Sequence, residues 1–365
     1  MKKKRLLLFS FEYPPKCGGA GRVAYDSTSL LFEKGFDFEV LTTRYPNLKK
    51  HDNVNYHLIS YIPVLFPLFF FFKLRKLLKK NYDTIILNDV GSMLVMSLFF
   101  KKYFSKCIVF IHGTEFEIIV TKPKFLFRIV NFKKSFISLL SSCYKIVCVS
   151  DYMKRKAMSF LPKISEDRFW VVHNGVNKKI FFPQKTDIFD KYLKSKDSKI
   201  FFSASRIIEM KGYGDFYKIF KRLDPIKKNL YWFIAGEGDF KNTICDMAQK
   251  DSLNDRIFFL GNLDSETLRQ CYSSCDVFIL LSRYEEAYGL VYLEALSCGV
   301  PVIGNDLGGV NEVIQNTVNG FLVKSAEDCF DVLNNKMYES IKKEDIFTSI
   351  PNYSAEKETF IQYLY

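Results

Sequence analysis

No stretch of the chain reaches the ~18 consecutive apolar residues that a membrane-crossing helix requires. The nearest approach, "YIPVLFPLFFFF" from Tyr61 to Phe72, contains Pro63 and Pro67 and runs straight into the basic "KLRKLLKK". Nine cysteines are scattered with no Cys-x-x-Cys; the nearest pairs are Cys143/Cys148 and Cys271/Cys275. Neither a metal centre nor a disulfide framework is legible, and reduced cytosolic thiols are expected. A small-residue cleavage site is also missing after "MKKKRLLLFSFEYPP", where the apolar run Leu6 to Phe11 ends at Glu12. That run is expected to be a first buried strand, not a secretory leader. Acidic residues are scarce in the first part of the chain. Residues 1–160 hold about 27 Lys and Arg against 11 Asp and Glu, whereas 161–365 hold about 26 against 29. The overall charge of +13 is therefore confined to one half, which implies an anionic partner there: a membrane surface, a lipid phosphate, an anionic glycan or nucleic acid. No nucleic-acid recognition motif is present, and the basic residues interleave with large apolar runs, so nucleic acid is not expected.

What is present is a globular composition, 48% hydrophobic and 25% charged, over 365 residues, enough for two domains. Short apolar runs alternate with helical patterns: "RLLLFSF" (Arg5–Phe11), "DFEVLTT" (Asp37–Thr43), "DTIILND" (Asp83–Asp89), "KCIVFIHG" (Lys106–Gly113) and "KIVCVS" (Lys145–Ser150). Helical patterns at Arg22–Glu33 and Met93–Tyr103 lie between them. Strands this apolar imply a parallel sheet covered on both faces. The alternation pauses at Asn177–Lys199, a lysine-rich stretch of linker composition. It resumes with "IFFSASR" (Ile200–Arg206), "LYWFIAGEG" (Leu230–Gly238), "RIFFLGN" (Arg256–Asn262), "DVFILLS" (Asp276–Ser282) and "PVIGND" (Pro301–Asp306). The fold class is α/β, with two doubly wound Rossmann-like domains in series, expected at residues 1–180 and 190–350. Ligands of such sheets bind beyond the carboxyl ends of the strands, and the cleft between two domains is the natural place for a site.

"SRYEEAYGLVYLEALSCGVPVIGNDLGG" (Ser282–Gly309) sets Glu286 in a loop and Glu294 about one turn inside a helix that opens at Gly289 and stops at Gly299. One reading is an ordinary helix entrance with solvated acids. The other is a cavity at the helix N-terminus, where free N–H groups attract an anion and the carboxylates accept hydrogen bonds from neutral hydroxyls. A nucleotide sugar has both kinds of group. Two cations to neutralise its diphosphate are offered by Arg206 and Lys211 in "SASRIIEMKGYGDF", although a surface Arg and Lys in a βα loop is an equal alternative. Gly18, Gly19 and Gly21 in "PPKCGGAGRVAYD" precede a helix and would let backbone amides approach a phosphate. The spacing is not the dinucleotide-binding Gly-x-Gly-x-x-Gly.

Taken together, these elements resemble a family 4 glycosyltransferase with the GT-B fold. Glu286 to Glu294 resembles that family's Glu-x7-Glu motif, and "SRIIEMKG" resembles its Arg-x4-Lys element. "HNGVN" (His173–Asn177), "IAGEGD" (Ile234–Asp239), "FLGN" (Phe259–Asn262), "GGVNEVI" (Gly308–Ile314) and "NGFLV" (Asn319–Val323) follow in the family's order. The closing "YSAEKETFIQYLY" resembles the family's last helix, so residues 352–365 would cross back onto the first domain. The resemblance implies that residues 1–180 bind the acceptor and 190–350 the nucleotide sugar. It implies that Arg206 and Lys211 hold the diphosphate, that Glu294 binds the ribose hydroxyls, and that Glu286 contacts the donor sugar. Backbone amides near Tyr288, Gly289 and Leu290 would help. Gly261 and Asn262 would join the donor side, Gly18 and Gly19 would approach the phosphates from the other domain, and His112 in "IHGTE" would sit near the transferred sugar. Ser205 before the Arg and Ala287 after the first Glu replace residues that are commonly glycine; neither change removes a charge.

The reaction implied is retaining transfer of a hexosyl unit from a UDP- or GDP-sugar to a lipid-linked, lipopolysaccharide or polysaccharide acceptor. No Asp-x-Asp is present, so the basic pair would replace a divalent metal, and no cofactor is expected. Other GT-B chemistry (sugar-nucleotide epimerisation or phosphorolysis) and a catalytically silent basic binding protein are the alternatives. Of the remaining candidates, His173 is expected to shape a turn, and Glu115 and Glu117 are either acceptor-side groups or solvated loop residues. Phe132, Phe136, Leu139 and Leu140 beside Lys122, Lys124, Arg128, Lys133 and Lys134 are expected to form an interfacial segment, as are the phenylalanines of "LFPLFFFFKLRKLLKK". The location implied is cytoplasmic, peripheral at the inner face of the membrane, with an anionic membrane surface as partner.

Overall fold

Apolar residues, chiefly Val, Ile, Leu and Phe, dominate the core positions of the central strands, because a parallel sheet covered by helices shields both of its faces from water. The computed structural model describes residues 4–15, 18–62, 65–351, 360, 361 and 364. The chain divides into two compact units, Met1–Asn174 with Tyr353–Tyr365, and Gly175–Asn352. The first holds β1 (Arg5–Phe9), β2 (Asp37–Thr43), β3 (Asn55–Ile59), β4 (Thr84–Leu87), β5 (Cys107–Ile111), β6 (Lys145–Cys148) and β7 (Phe169–Val171). All pair in parallel in the order β3-β2-β1-β4-β5-β6-β7. The second holds β8 (Lys199–Ala204), β9 (Leu230–Ala235), β10 (Ile257–Gly261), β11 (Val277–Leu280), β12 (Val302–Asn305) and β13 (Gly320–Val323), also all parallel, in the order β10-β9-β8-β11-β12-β13. Each sheet is a Rossmann-like, doubly wound arrangement. The strand order reverses direction between β1 and β4 in one unit and between β8 and β11 in the other, and each reversal opens a crevice at the carboxyl ends of the strands.

Ten of the thirteen strands among the described residues coincide with the apolar runs in the sequence. The other three, β3, β7 and β13, all lie at sheet edges. An edge strand has one free flank and needs no continuous apolar run, and β3 (Asn-Tyr-His-Leu-Ile) is half-exposed. The stretch Asn177–Lys199, linker-like in composition, is anchored to the second unit. Phe181 and Phe189 are buried there, with the Phe189 ring stacked 4.2 Å from Phe233 and the Gln184 N–H donating to Ser273. Two aromatic anchors outweigh the lysines, which stay in solvent. Most of the closing helix lies outside the described residues, but Phe360, Ile361 and Leu364 are buried in the core of the first unit. Phe360 meets the Phe110 ring edge-on at 5.7 Å, so the C-terminus does return to the first domain.

One buried charge in the first unit sets an acid limit on stability. Glu39 of β2 is 1% exposed and is met by Arg5 Nη2 at 2.6 Å, His57 Nε2 at 2.5 Å and Lys80 Nζ at 2.8 Å. Burial alone would raise its carboxyl, but hydrogen bonds from His57 and Lys80 and the charge of Lys80 hold it down at about 2, against an ordinary 4.5. Burial also depresses the His57 imidazole below its ordinary 6.5. Both folded-state values lie below the unfolded ones, so both contributions are full at neutral pH and are lost as pH falls. For Glu39 the loss runs from about pH 4.5 down through 2 and amounts to about 3 kcal/mol. Urea melts at pH 7, 5 and 3 should show midpoints falling with pH, and Glu39→Gln should be less stable at pH 7 and flatter below pH 5.

Candidate functional site

At the β8/β11 reversal the loops that leave the two strands are braced on each other. After β8, the Ile207 N–H donates to Glu237 in the loop following β9, and a single 3-10 turn, Glu209–Lys211, ends at Gly212. Gly212 has φ of +76°, and a Cβ there would lie 1.8 Å from the Leu281 carbonyl oxygen. Only glycine lets this loop lie against the end of β11. The Arg283 N–H donates to the Met210 carbonyl at 2.8 Å, and the Arg283 guanidinium forks the Asp215 carboxylate with bonds of 2.6 and 2.5 Å. Nothing in the local sequence marked Arg283 and Asp215, because their partnership spans 68 residues.

This bracing sets Lys211 against Glu286: Nζ and Oε1 are 2.5 Å apart, and both side chains are mostly buried. The Glu286 backbone is fixed from the other side. It bridges Gly308 in parallel, accepts from the Gly309 N–H at 2.6 Å, and a Cβ at Gly308 (φ +71°) would sit 2.5 Å from its carbonyl oxygen. Gly289, in the left-handed region, starts the helix Leu290–Ser297. Glu294 lies within it, buried, and its Oε2 accepts from the Tyr272 hydroxyl at 3.0 Å. Tyr272, unmarked in the sequence, thus holds one oxygen of Glu294. Arg206 is exposed, one residue beyond Ser205 at the same end of the sheet, and among the described residues it makes no ion pair with Glu286 or Glu294. Tyr288 is buried. Gly261 ends β10, two strands from β8, and Asn262 follows it, with the Gly261 carbonyl accepting from the Gly236 N–H at 2.7 Å. A groove of about 1200 Å³ lies at the opposite, amino-terminal ends of these strands, where Lys199, Asp276 and Pro301 are found, and it includes none of the expected site residues.

The first unit has its own constellation at the β1/β4 reversal. Asp89 accepts from the Ser10 hydroxyl at 2.9 Å and from the Phe11 and Glu12 N–H groups at 2.6 and 3.0 Å, and its other oxygen caps the helix Val90–Phe99 through the Ser92 N–H. Burial pushes its carboxyl up. The loop after β1 is therefore tied to the end of β4, and Glu12 carries the tie onward by accepting from the Gly18 N–H at 2.9 Å. Gly19 is the first residue of the helix Gly19–Glu33, and a Cβ there would meet nothing within 4 Å. At the end of β5, His112 Nε2 lies 2.7 Å from the Asn88 carbonyl oxygen. A carbonyl can only accept, so Nε2 carries the proton. Nδ1 is buried, with no partner among the described residues, and in the neutral ring it is an acceptor.

Glu115 is not a solvated loop residue. It is buried, and its two oxygens accept from the His112 and Gly113 N–H groups at 2.9 and 2.7 Å, which holds the His112 turn. Glu117 is paired with Lys156. His173 Nε2 stands 3.7 Å from an Asp151 oxygen. Phe132, Phe136, Leu139 and Leu140 are fully buried, so the expected interfacial role of these four is corrected. The helix Phe132–Ser142 turns that face onto the helix Val90–Phe99. No helix among the described residues is long and apolar enough to cross a membrane.

Two Rossmann-like units in series, each an all-parallel sheet with one strand reversal, are the GT-B architecture. The family models agree. "Glycosyltransferase Family 4" matches residues 17–179 and "Glycosyl transferases group 1" matches 184–346. The chain belongs to glycosyltransferase family 4. It is 25% identical to N-acetyl-alpha-D-glucosaminyl L-malate synthase of Bacillus anthracis, over 84% of this chain and 81% of that protein. Among solved structures it is similar to the sucrose-phosphate synthase of Thermosynechococcus elongatus, with a TM-score of 0.80 and 19% identity over 99% of this chain and 98% of that one. It is also similar to Anabaena HepE in complex with UDP and glucose, with a TM-score of 0.79 and 16% identity over 99% of each chain.

Proposed function

We propose that this glycosyltransferase moves a hexosyl unit, with retention of configuration and without a divalent metal, from a UDP- or GDP-sugar to a lipid-linked, lipopolysaccharide or polysaccharide acceptor at the cytoplasmic face of a membrane. The observation that carries the donor side is the Lys211–Glu286 pair at the strand reversal of the second unit, with Glu294 on the helix that follows. Lys211 and Arg206 take the diphosphate, Glu294 takes the ribose hydroxyls, and Glu286, released from Lys211 as the phosphates arrive, accepts from the donor sugar. The first-turn amides after Tyr288 and Gly289, beginning at Leu290, face the developing negative charge. Gly18 and Gly19 admit the phosphates closely, Gly261 and Asn262 flank the donor, and His112 Nδ1 accepts from a sugar hydroxyl. Support for a nucleoside diphosphate comes from HepE, crystallised with UDP and glucose.

In the transfer, the bond from the anomeric carbon to the β-phosphate oxygen breaks. The acceptor hydroxyl oxygen bonds to the same face of that carbon, and its proton passes to the departing phosphate oxygen. Negative charge grows on the phosphate while the two cations are already in place, which is electrostatic preorganisation. The acceptor class rests on the basic charge of the first unit.

A panel of UDP- and GDP-sugars offered with membrane glycolipid, and separately with L-malate, tests this through nucleoside diphosphate release. Turnover should need glycolipid, persist in EDTA, and disappear in both Glu294→Gln and Arg206→Ala. Activity lost to EDTA and restored by Mg²⁺ would overturn metal independence. Unchanged turnover in either variant would overturn the site assignment.

A further inference from the structure

Residues 122–130 leave the fold in a way that burial does not explain. The chain passes from the end of β5 through one wide helical turn, Glu117–Thr121, into Lys122, Pro123, Lys124 and a short helix, Phe125–Ile129, none of whose residues is buried. Its ring contact with the core is Phe127 against Phe132 at 5.0 Å. Phe125 is 74% exposed and Ile129 64%, with Leu126 and Val130 also in solvent. A soluble surface helix places polar residues there. The polar residues that are present carry one sign. Lys122, Lys124, Arg128, Lys133 and Lys134 are all exposed, and no acidic residue occurs between Glu117 and Asp151.

A second element repeats the pattern in the same helical layer. The helix Phe66–Leu77 packs on Val90–Phe99, which packs on Phe132–Ser142. Its inner stripe, Phe70, Leu74 and Leu77, is buried, whereas Leu65, Leu68, Phe69 and Phe72 are exposed at helical spacing along its outer side. Phe72 is 58% exposed, and Arg75, Lys76 and Lys79 on the same helical segment are exposed as well. Two apolar protrusions with basic flanks lie on one helical layer, and monomeric proteins rarely leave large apolar patches uncovered.

We infer that this face docks on an anionic bilayer, and that the 122–130 segment is the element that enters it. The apolar side chains Phe125, Leu126, Ile129 and Val130 sit at the level of the acyl boundary, and the five basic side chains meet the anionic headgroups. Charge complementarity selects the occupant. A second copy of this chain would bring the same positive charge to the face. The inference rests on the reading of a lipid-linked acceptor and adds a location to it. The segment begins one wide helical turn beyond the His112–Glu115 corner, so a membrane-embedded acceptor would emerge beside the sugar-handling end of β5.

Flotation of the full chain with vesicles tests it. The protein should float with vesicles of 70% phosphatidylcholine and 30% phosphatidylglycerol, should not float with pure phosphatidylcholine, and should be released at high salt. Phe125→Ser with Ile129→Ser, both at exposed positions that leave the fold intact, should cut the bound fraction at least tenfold. The titrated affinity for UDP should not change. Lys124→Glu with Arg128→Glu should shift binding in the same direction. Equal binding of the serine variant and the wild type would overturn the assigned element. So would failure of the wild type to bind anionic vesicles, or a concentration-dependent dimer abolished by the same substitutions. A wild type that releases nucleoside diphosphate yet ignores vesicles removes this inference and leaves the transfer chemistry standing. Loss of UDP affinity in Lys211→Ala is read separately from any vesicle.

Discussion

Lys211→Ala should lower kcat by about 10²–10³-fold, the cost of removing one preorganised group aimed at developing charge. The structure gives this variant a built-in ambiguity, since Lys211 is ion-paired with Glu286 at 2.5 Å. Loss of activity could follow from an unpaired Glu286 pushing the diphosphate away. A double variant separates the causes. If Lys211 serves only to neutralise Glu286, adding Lys211→Ala to Glu286→Gln costs nothing beyond Glu286→Gln alone, because the offending charge is already gone. If Lys211 acts on the diphosphate, the double variant is slower than Glu286→Gln alone by about the full cost of losing Lys211. The second outcome is expected. Steady-state kinetics with a saturating acceptor measure these variants, and Lys211→Arg should retain part of the rate because the charge persists.

Gly19→Leu should leave the fold at least as stable as the wild type and still reduce turnover by more than tenfold. Gly19 opens the helix Gly19–Glu33, and the Cβ of a side chain there would find nothing within 4 Å. Leucine is a better helix former than glycine, and at this first helical position the gain is about a few tenths of a kcal/mol. No internal contact therefore requires a glycine. The proposal supplies an external one, since a phosphate approaching the backbone leaves no room for a branched side chain. Thermal melts and donor saturation curves measured together decide the point. An unchanged melting temperature with a raised KM for the nucleotide sugar is expected. A variant as active as the wild type would remove Gly19 from the donor site.

The legible and illegible parts of this chain differ in range of interaction. Central strands such as β5 and β9 announce themselves because every side chain in them is apolar, whereas β3 with its Asn, Tyr and His does not. Glu286 and Glu294 are readable because a loop, a glycine and a short helix fix them within one stretch. Their partners are not. Tyr272 reaches Glu294 across 22 residues, and Asp89 gathers Ser10, Phe11 and Glu12 across 77 to 79. No local pattern encodes such meetings. The aromatic stretch from Phe125 to Phe136 shows a third limit. Phe132 and Phe136 are core and Phe125 is solvent-facing, yet composition treats all three alike. The αL turn at Asn131 (φ 49°) separates the two behaviours.

A crystal structure of the protein soaked with UDP, and in a parallel experiment with GDP, bears most directly on the central claim. One of the two should be found with its diphosphate against Arg206 and Lys211, its ribose hydroxyls on Glu294, and the Lys211–Glu286 contact opened. A nucleotide bound instead in the lysine-lined groove at the other end of β8 and β11, beside Lys194 and Lys199, with Lys211 still on Glu286, would contradict it.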